Sequence, residues 1–267
     1  MKKKIRYFLI FVAILSLAGS FLVGSHHGGH ELKDAMKEAV LHEIDKISLF
    51  GIINVNPSVI SAITVTGIIF IFSLIVRIFV IPKFKKVPGK FQLILEEVVM
   101  TFKNLAISNS PHKYKLLSRY IFAAGIYIFI GTLFELSGIQ VISIKGNSVT
   151  LPAPLSDLNA AIAMGCLSYL FIMSGGLTSN GFKGVLKTLK DFSLPVSMSF
   201  RLFGALISGL LVMDLVYHSL FLSIGLPVIV AVMFTLLHAV IQAYVLTLLT
   251  SIYYGEVSER HVEHVEN

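Results

Sequence analysis

An ionisable side chain inside an apolar stretch costs at least ~2.5–3.5 kcal/mol on insertion scales, so each one needs a reason. This sequence places Glu135, Asp157, Arg201, Asp214 and His238 in such stretches, with Gln242 as a polar companion. An arginine is a permanent positive charge, because it does not lose its proton at physiological pH. Carboxylates and an imidazole, by contrast, can take up and release protons. A fixed cation beside titratable groups suits the movement of ions better than the making of bonds.

Arg201 is the sharpest of these residues. It stands in SLPVSMSFRLFGALISGLL, nine residues beyond Phe192 where the apolar run begins, about 13 Å deep at 1.5 Å per residue. Snorkelling would shorten that depth without removing it. A structurally paired arginine is the plainer reading, and a charge held beside an ion path the functional one. Ser197 and Ser193 lie one and two turns earlier on the same face and would line a wet route inward. Gly204, Ala205, Ser208 and Gly209 thin the helix beyond Arg201. Small residues admit a second helix closely, within this chain or from another. His238 and Gln242 are four apart and share a face. The imidazole would relay protons there or simply bond a carbonyl. Asp214 lies ~20 Å beyond Arg201, either facing a vestibule shared with His238 or as a solvated helix-end carboxylate. Glu135 and Asp157 are further candidates for that vestibule, and Asp157 is equally a helix N-cap.

Other chemistries lack their residues. There is no GxxxxGK[ST] loop and no HExxH, and Cys166 is the only cysteine. The His26-His-Gly-Gly-His30 run is a loose set in an exposed segment and is not read as a metal site. No nucleophile arrangement and no cofactor motif emerges, so the chain is not expected to be an enzyme on its own.

The elements that position these residues follow from composition. Hydrophobic residues make up 55% of the 267 and charged residues 14%, against about 25% charged in soluble chains. Mean hydropathy is +0.82. A chain so poor in charge belongs in a bilayer, neither soluble nor disordered. Its net charge of +7 fits basic loops retained on the inner side of a membrane, not nucleic-acid binding.

The spacing predicts an all-α polytopic membrane protein. Residues 1–25, a basic end followed by an apolar run, read as a signal peptide or signal anchor. Residues 26–56 form an external segment with an amphipathic stretch over His30–Lys46. A membrane domain occupies 57–255 and a cytoplasmic tail 256–267. About five transmembrane helices are expected, one plus two hairpins: Pro57–Val80, Tyr120–Val141, Asp157–Gly175, Phe192–Tyr217 and the later part of Leu220–Tyr254. Phe91–Ile107, with Phe91, Leu93, Ile94, Val98, Phe102 and Leu105 on one face, is too amphipathic to span and is expected along the inner surface. Basic residues Lys83, Lys85, Lys86, Lys90 and Lys183, Lys187, Lys190 mark inner loops, and Ile142–Ser156 an outer one.

Four motifs in order, SxxxRLFG at Ser197–Gly204, IQAYVxxxLTxxY at Ile241–Tyr253, PAPLSDLNAAIA at 152–163 and KFQLILEEVV at 90–99, resemble subunit a of the membrane (Fo) sector of bacterial F-type ATP synthases. The resemblance covers about 57–255. It implies a stator, in the bacterial inner membrane, that carries H+ or Na+ through two half-channels to and from a rotating c-ring, with the peripheral-stalk subunit b and the rest of the synthase as partners. It implies further that Arg201 faces the ring carboxylates, that Gln242 is its partner across the hairpin, that Ser197 belongs to the inner path, and that Asp157 and Asn159 lie near the outer one. The sequence departs from the family where Ala205 follows RLFG, where Leu210 stands nine residues after the arginine, and where Thr235 stands seven before the glutamine. Asp214 and His238 lie about a turn further on, which suggests a shifted outer half-channel. The rival readings are a free-standing secondary transporter or channel, for which the inverted repeats are missing, and a structural scaffold whose buried charges only pair with one another.

Overall fold

The computed structural model describes residues 47–49, 53–142, 148–190, 193–204 and 226–259. The signal segment, the histidine run, the outer amphipathic stretch, Asp214 and the last residues of the tail lie outside them. Among the described residues the chain is almost wholly helical. Among these residues four helices are long and apolar enough to cross a membrane: Pro57–Lys83, Tyr114–Ser137, Leu158–Lys190 and Val232–Ser258. It is an all-α polytopic membrane protein.

Helix α1 (Pro57–Ile75) starts where the sequence announces it. Asn56 is the N-cap, its Oδ1 accepting from the Ser58 amide at 3.2 Å, and Pro57 stands at the first helical position. The helix loosens into a π turn at Val76–Val80 and a 3-10 turn at Ile81–Lys83. Helix α2 (Lys90–Asn109) follows, then α3 (Tyr114–Phe134), which ends in a 3-10 turn at Glu135–Ser137. Two small antiparallel hairpins sit before α1 and after α3. Strand β1 (Ile47–Leu49) pairs with β2 (Ile53–Val55), and β3 (Gln140–Ile142) with β4 (Ser148–Thr150). Helix α4 (Leu158–Lys190), a helix α5 over 193–204 and helix α6 (Leu226–Ser258) complete the described chain.

Helix α6 is the hub, packed along α3 and along α4. Leu117, Ile121 and Ile128 of α3, Ile172 of α4, Met198 and Leu202 of α5, and Leu246 and Tyr254 of α6 share one core. Tyr120, Phe171 and Tyr254 stack in series across three helices, with centroids 4.0 and 5.0 Å apart. Helix α1 is attached more loosely, through a small cluster of Val65, Phe134 and Leu151. Most of its apolar side chains remain exposed, as suits a lipid-facing span.

The structure redraws two of the expected elements. The basic stretch after Gly175 is helix rather than loop, and Gly181, at φ 59° and ψ −141°, breaks α4 into two arms. The Tyr169 hydroxyl donates to the Thr188 carbonyl at 3.0 Å. In a straight helix those residues would be about 28 Å apart, so the second arm doubles back along the first. The turn is tight because Gly176 and Gly184 face each other: a Cβ on Gly184 would strike the Gly176 carbonyl. Helix α2 also departs from a uniform surface helix. Phe102, Leu105 and Ala106 join the core against α3 and α6, while Phe91, Leu93 and Ile94 stay exposed. Asn109 secures its end, donating to the Leu105 carbonyl and to the Ser251 hydroxyl at 3.1 Å.

Candidate functional site

Helix α5 has two faces. Leu194, Pro195, Met198, Ser199 and Leu202 are buried, whereas Ser193, Val196, Ser197, Phe200, Arg201 and Gly204 are exposed. The exposed set recurs every three to four residues, one stripe along the helix. The burial of the first face is enforced by α4. Gly165 lies against Pro195 and Ser199, and a Cβ there would come within 2.9 Å of the Pro195 carbonyl oxygen. That close approach fixes how α5 is rotated, and so fixes that Arg201 points away from the bundle.

Arg201 therefore presents its guanidinium outward, with no acidic partner among the described residues. Its main-chain carbonyl is 3.4 Å from Gln242 Nε2, and the same amide is 3.4 Å from His238 Nε2. Both separations are long for hydrogen bonds. Gln242 is buried at 6% exposure and touches the backbone of Arg201, not its side chain. His238 is half-buried, with Gln242 one turn after it and Phe234 stacked on it one turn before, at 5.5 Å. His238 and Gln242 share one face, and among the described residues the imidazole meets that amide and the Phe234 ring.

Ser197 and Ser193 share the outward stripe with Arg201. The other acidic candidates sit at the far end of the bundle, where α1 and α4 begin and α3 ends. Asp157 accepts at Oδ1 from the amides of Asn159 and Ala160, at 2.8 and 3.1 Å, and at Oδ2 from Asn56 Nδ2 at 2.5 Å. It is the N-cap of α4, and through Asn56 it joins the caps of two spans. Asn159 beside it is exposed. Glu135 is partly buried in a turn that packs against α6.

Three features of this site escape a linear reading. The Gly165 contact joins two helices and the Gly176–Gly184 approach needs the turn at Gly181, and a glycine in an apolar helix carries no label for its neighbour. The Asn56–Asp157 bond spans 101 positions. Its half-signal was visible in Asn56-Pro57, an N-cap followed by proline. Among the described residues no group of three or more His, Cys, Asp or Glu side chains is placed to hold a metal ion.

Arg201 thus sets a permanent positive charge on the outside of the bundle, backed by a buried amide and on one stripe with two serines, where a second body can reach it. The family model described as ATP synthase A chain matches residues 59–255, most of the chain and nearly all of its described part.

Proposed function

The chain belongs to the ATP synthase A chain family, a membrane-embedded, non-catalytic subunit of the synthase's Fo sector, and from that premise we propose that it is the stator that passes ions to and from a rotating c-ring at Arg201. The observation that carries this reading is Arg201, exposed on the outward stripe of α5 and without an acidic partner among the described residues. Left facing lipid, it would cost several kcal/mol. A ring carboxylate in front of it removes that cost.

The chemistry is electrostatic. A ring carboxylate in lipid is stable only when neutralised by a proton or a sodium ion. Opposite Arg201 its ionised form is favoured and it releases the ion. To move on into lipid it must be reloaded from the other access path. Ser193 and Ser197 line the inner path on the stripe of Arg201. Glu135, Asn159, His238 and Asp214 supply polar groups toward the outer one, with Asp157 positioning Asn159. Gln242 stands behind Arg201, its amide facing the Arg201 carbonyl. Because the arginine separates the two paths, ions cross only as the ring turns. A transmembrane potential contributes about 2.3 kcal/mol per charge per 100 mV. In this reading the subunit lies in a bacterial inner membrane with its C-terminus in the cytoplasm, beside the peripheral-stalk subunit b.

The test is Arg201→Ala in the assembled complex, with ATP synthesis and passive ion leak measured in reconstituted vesicles. Coupled synthesis is expected to vanish and leak to rise, since the barrier between the paths is gone. Arg201→Lys is expected to restore little, because a lysine can lose its proton and lacks the planar fork. Normal coupled synthesis by an assembled Arg201→Ala complex would overturn the mechanism.

A further inference from the structure

Between the loosened end of α1 and helix α2 runs an open, almost wholly apolar groove of about 590 Å³. Phe72 and Val76 form one wall, Leu95, Val99 and Met100 the other, and Phe84 closes the end. The loop at that end carries Lys83, Lys85 and Lys86, and Lys90 opens α2. All four lysines are exposed, and none has an acidic partner among the described residues. The loop is held against α2 by Gln92, which donates to the Lys85 carbonyl at 3.0 Å and accepts from the Lys85 amide at 3.1 Å. The groove's one acid, Glu96, accepts from the same Gln92 side chain at 2.7 Å. Beside the groove Phe91, Leu93 and Ile94 lie exposed, so the apolar surface continues past its lip.

The geometry points to a binding site for one anionic phospholipid, its acyl chains in the α1–α2 groove and its headgroup phosphate on the Lys83–Lys90 loop. Two features select this occupant. A helix 10–12 Å across fills roughly 500 Å³ per turn, so the groove admits about one turn of a partner helix, whereas a flexible acyl chain can follow its length. Charge supplies the second: four lysines at the mouth of an apolar slot complement a molecule that is negative at one end and apolar along the rest. Basic residues near a membrane surface each attract anionic lipid by about 1 kcal/mol, which is about a fivefold preference. Loop lysines that only set topology need no slot beneath them. This site is separate from Arg201 and independent of the proposed ion path.

The experiment uses the intact synthase with a photoreactive phosphatidylglycerol carrying a diazirine in one acyl chain, and the matching phosphatidylcholine as control. Adducts are mapped by peptide mass spectrometry. Phosphatidylglycerol is expected to label peptides containing 72–84 and 95–100 at least tenfold more than phosphatidylcholine. Replacing Lys83, Lys85, Lys86 and Lys90 together by Gln should abolish that preference, and replacing them by Arg should retain it. Val99→Phe, which narrows the groove without touching its charge, should reduce labelling several-fold and keeps the test decisive if the Gln variant fails to insert. Equal labelling by the two lipids would overturn the site. So would cross-linking of a Val99→Cys variant to a helix of another subunit, with no lipid adduct there.

Discussion

The position of Arg201 is set from behind, by a glycine on another helix, and that can be tested without touching any charged group. At Gly165 a Cβ would lie 2.9 Å from the carbonyl oxygen of Pro195, and it would also meet the Ser199 hydroxyl. Ordinary contact begins near 3.4 Å, so Gly165→Ala requires the Pro195 backbone to retreat by about 0.5 Å. The serine can rotate away, at the loss of its 2.6 Å bond to the Pro195 carbonyl, but the backbone cannot. Helix α5 moves as a rigid rod, so Arg201, less than two turns on, moves with it. Displacements of about 1 Å in a group that must meet a reacting partner can cost up to about a hundredfold. A 0.5 Å shift is therefore expected to lower coupled ATP synthesis by about tenfold, with assembly intact. Ser199→Gly in the same chain removes the hydroxyl, the nearest of the obstacles, and should recover part of the loss. Gly67→Ala, where nothing lies within 4 Å, is the control and should change nothing. The assay is ATP synthesis in vesicles under an imposed ion gradient, normalised to assembled complex. Wild-type synthesis by Gly165→Ala would refute the claim that α5 is held by this contact.

Three further outcomes are expected. Gly181→Ala places a side chain at φ 59° and ψ −141°, where strain is on the order of 1–3 kcal/mol; reduced yield of folded complex and faster proteolysis at the α4 turn should follow, and unchanged values would contradict the fold-back. Asp157→Ala removes the α4 cap and should cost about 1 kcal/mol, read as a fall of about 2–4 °C in thermal unfolding. Asp157→Asn, which keeps an acceptor oxygen, should retain most of that stability. Thr250 is fully buried and its hydroxyl has no partner among the described residues, unlike Thr247, which donates to the Ala243 carbonyl. Thr250→Val should therefore leave stability unchanged or raise it slightly, and a clear loss would show the hydroxyl to be in use.

How far the sequence could be read depended on whether each signal was local. The apolar run Pro57–Val80 marked the first span, and the structure places a helix from Pro57 through these residues; the cap at Asn56 went unread. The faces of α5 followed from spacing alone, because Ser193, Ser197 and Arg201 are a turn apart wherever the helix lies. What spacing could not supply was rotation. The Gly165 contact, together with Met198 and Leu202 in the core, turns this stripe away from the bundle. Helix α4 misled for a related reason. Lys183, Lys187 and Lys190 looked like a loop because charge density was weighed against hydropathy, yet they decorate one arm of a helix that turns at a single glycine. Asp157 read equally as a cap and as a polar group of an ion path, since both readings place a carboxylate at a helix start. The bond from Asn56, 101 residues away, is what reveals how fully its oxygens are engaged.

The contacts at Gly176–Gly184 and Gly165–Pro195 also bear on force. If Arg201 meets a moving ring as proposed, the subunit feels the recoil of what slides past it. At these points main chain lies close to main chain: Gly184 against the Gly176 carbonyl, and Gly165 against the Pro195 carbonyl beside the Ser199 hydroxyl. Load applied at Arg201 would run through α5 into the first arm of α4, and from there into the stack of Tyr254, Phe171 and Tyr120. The doubled helix thus acts as a braced strut. Its stiffness comes from the residues that contribute least bulk, and lengthening any of them by one methyl group would turn a rigid joint into a compliant one.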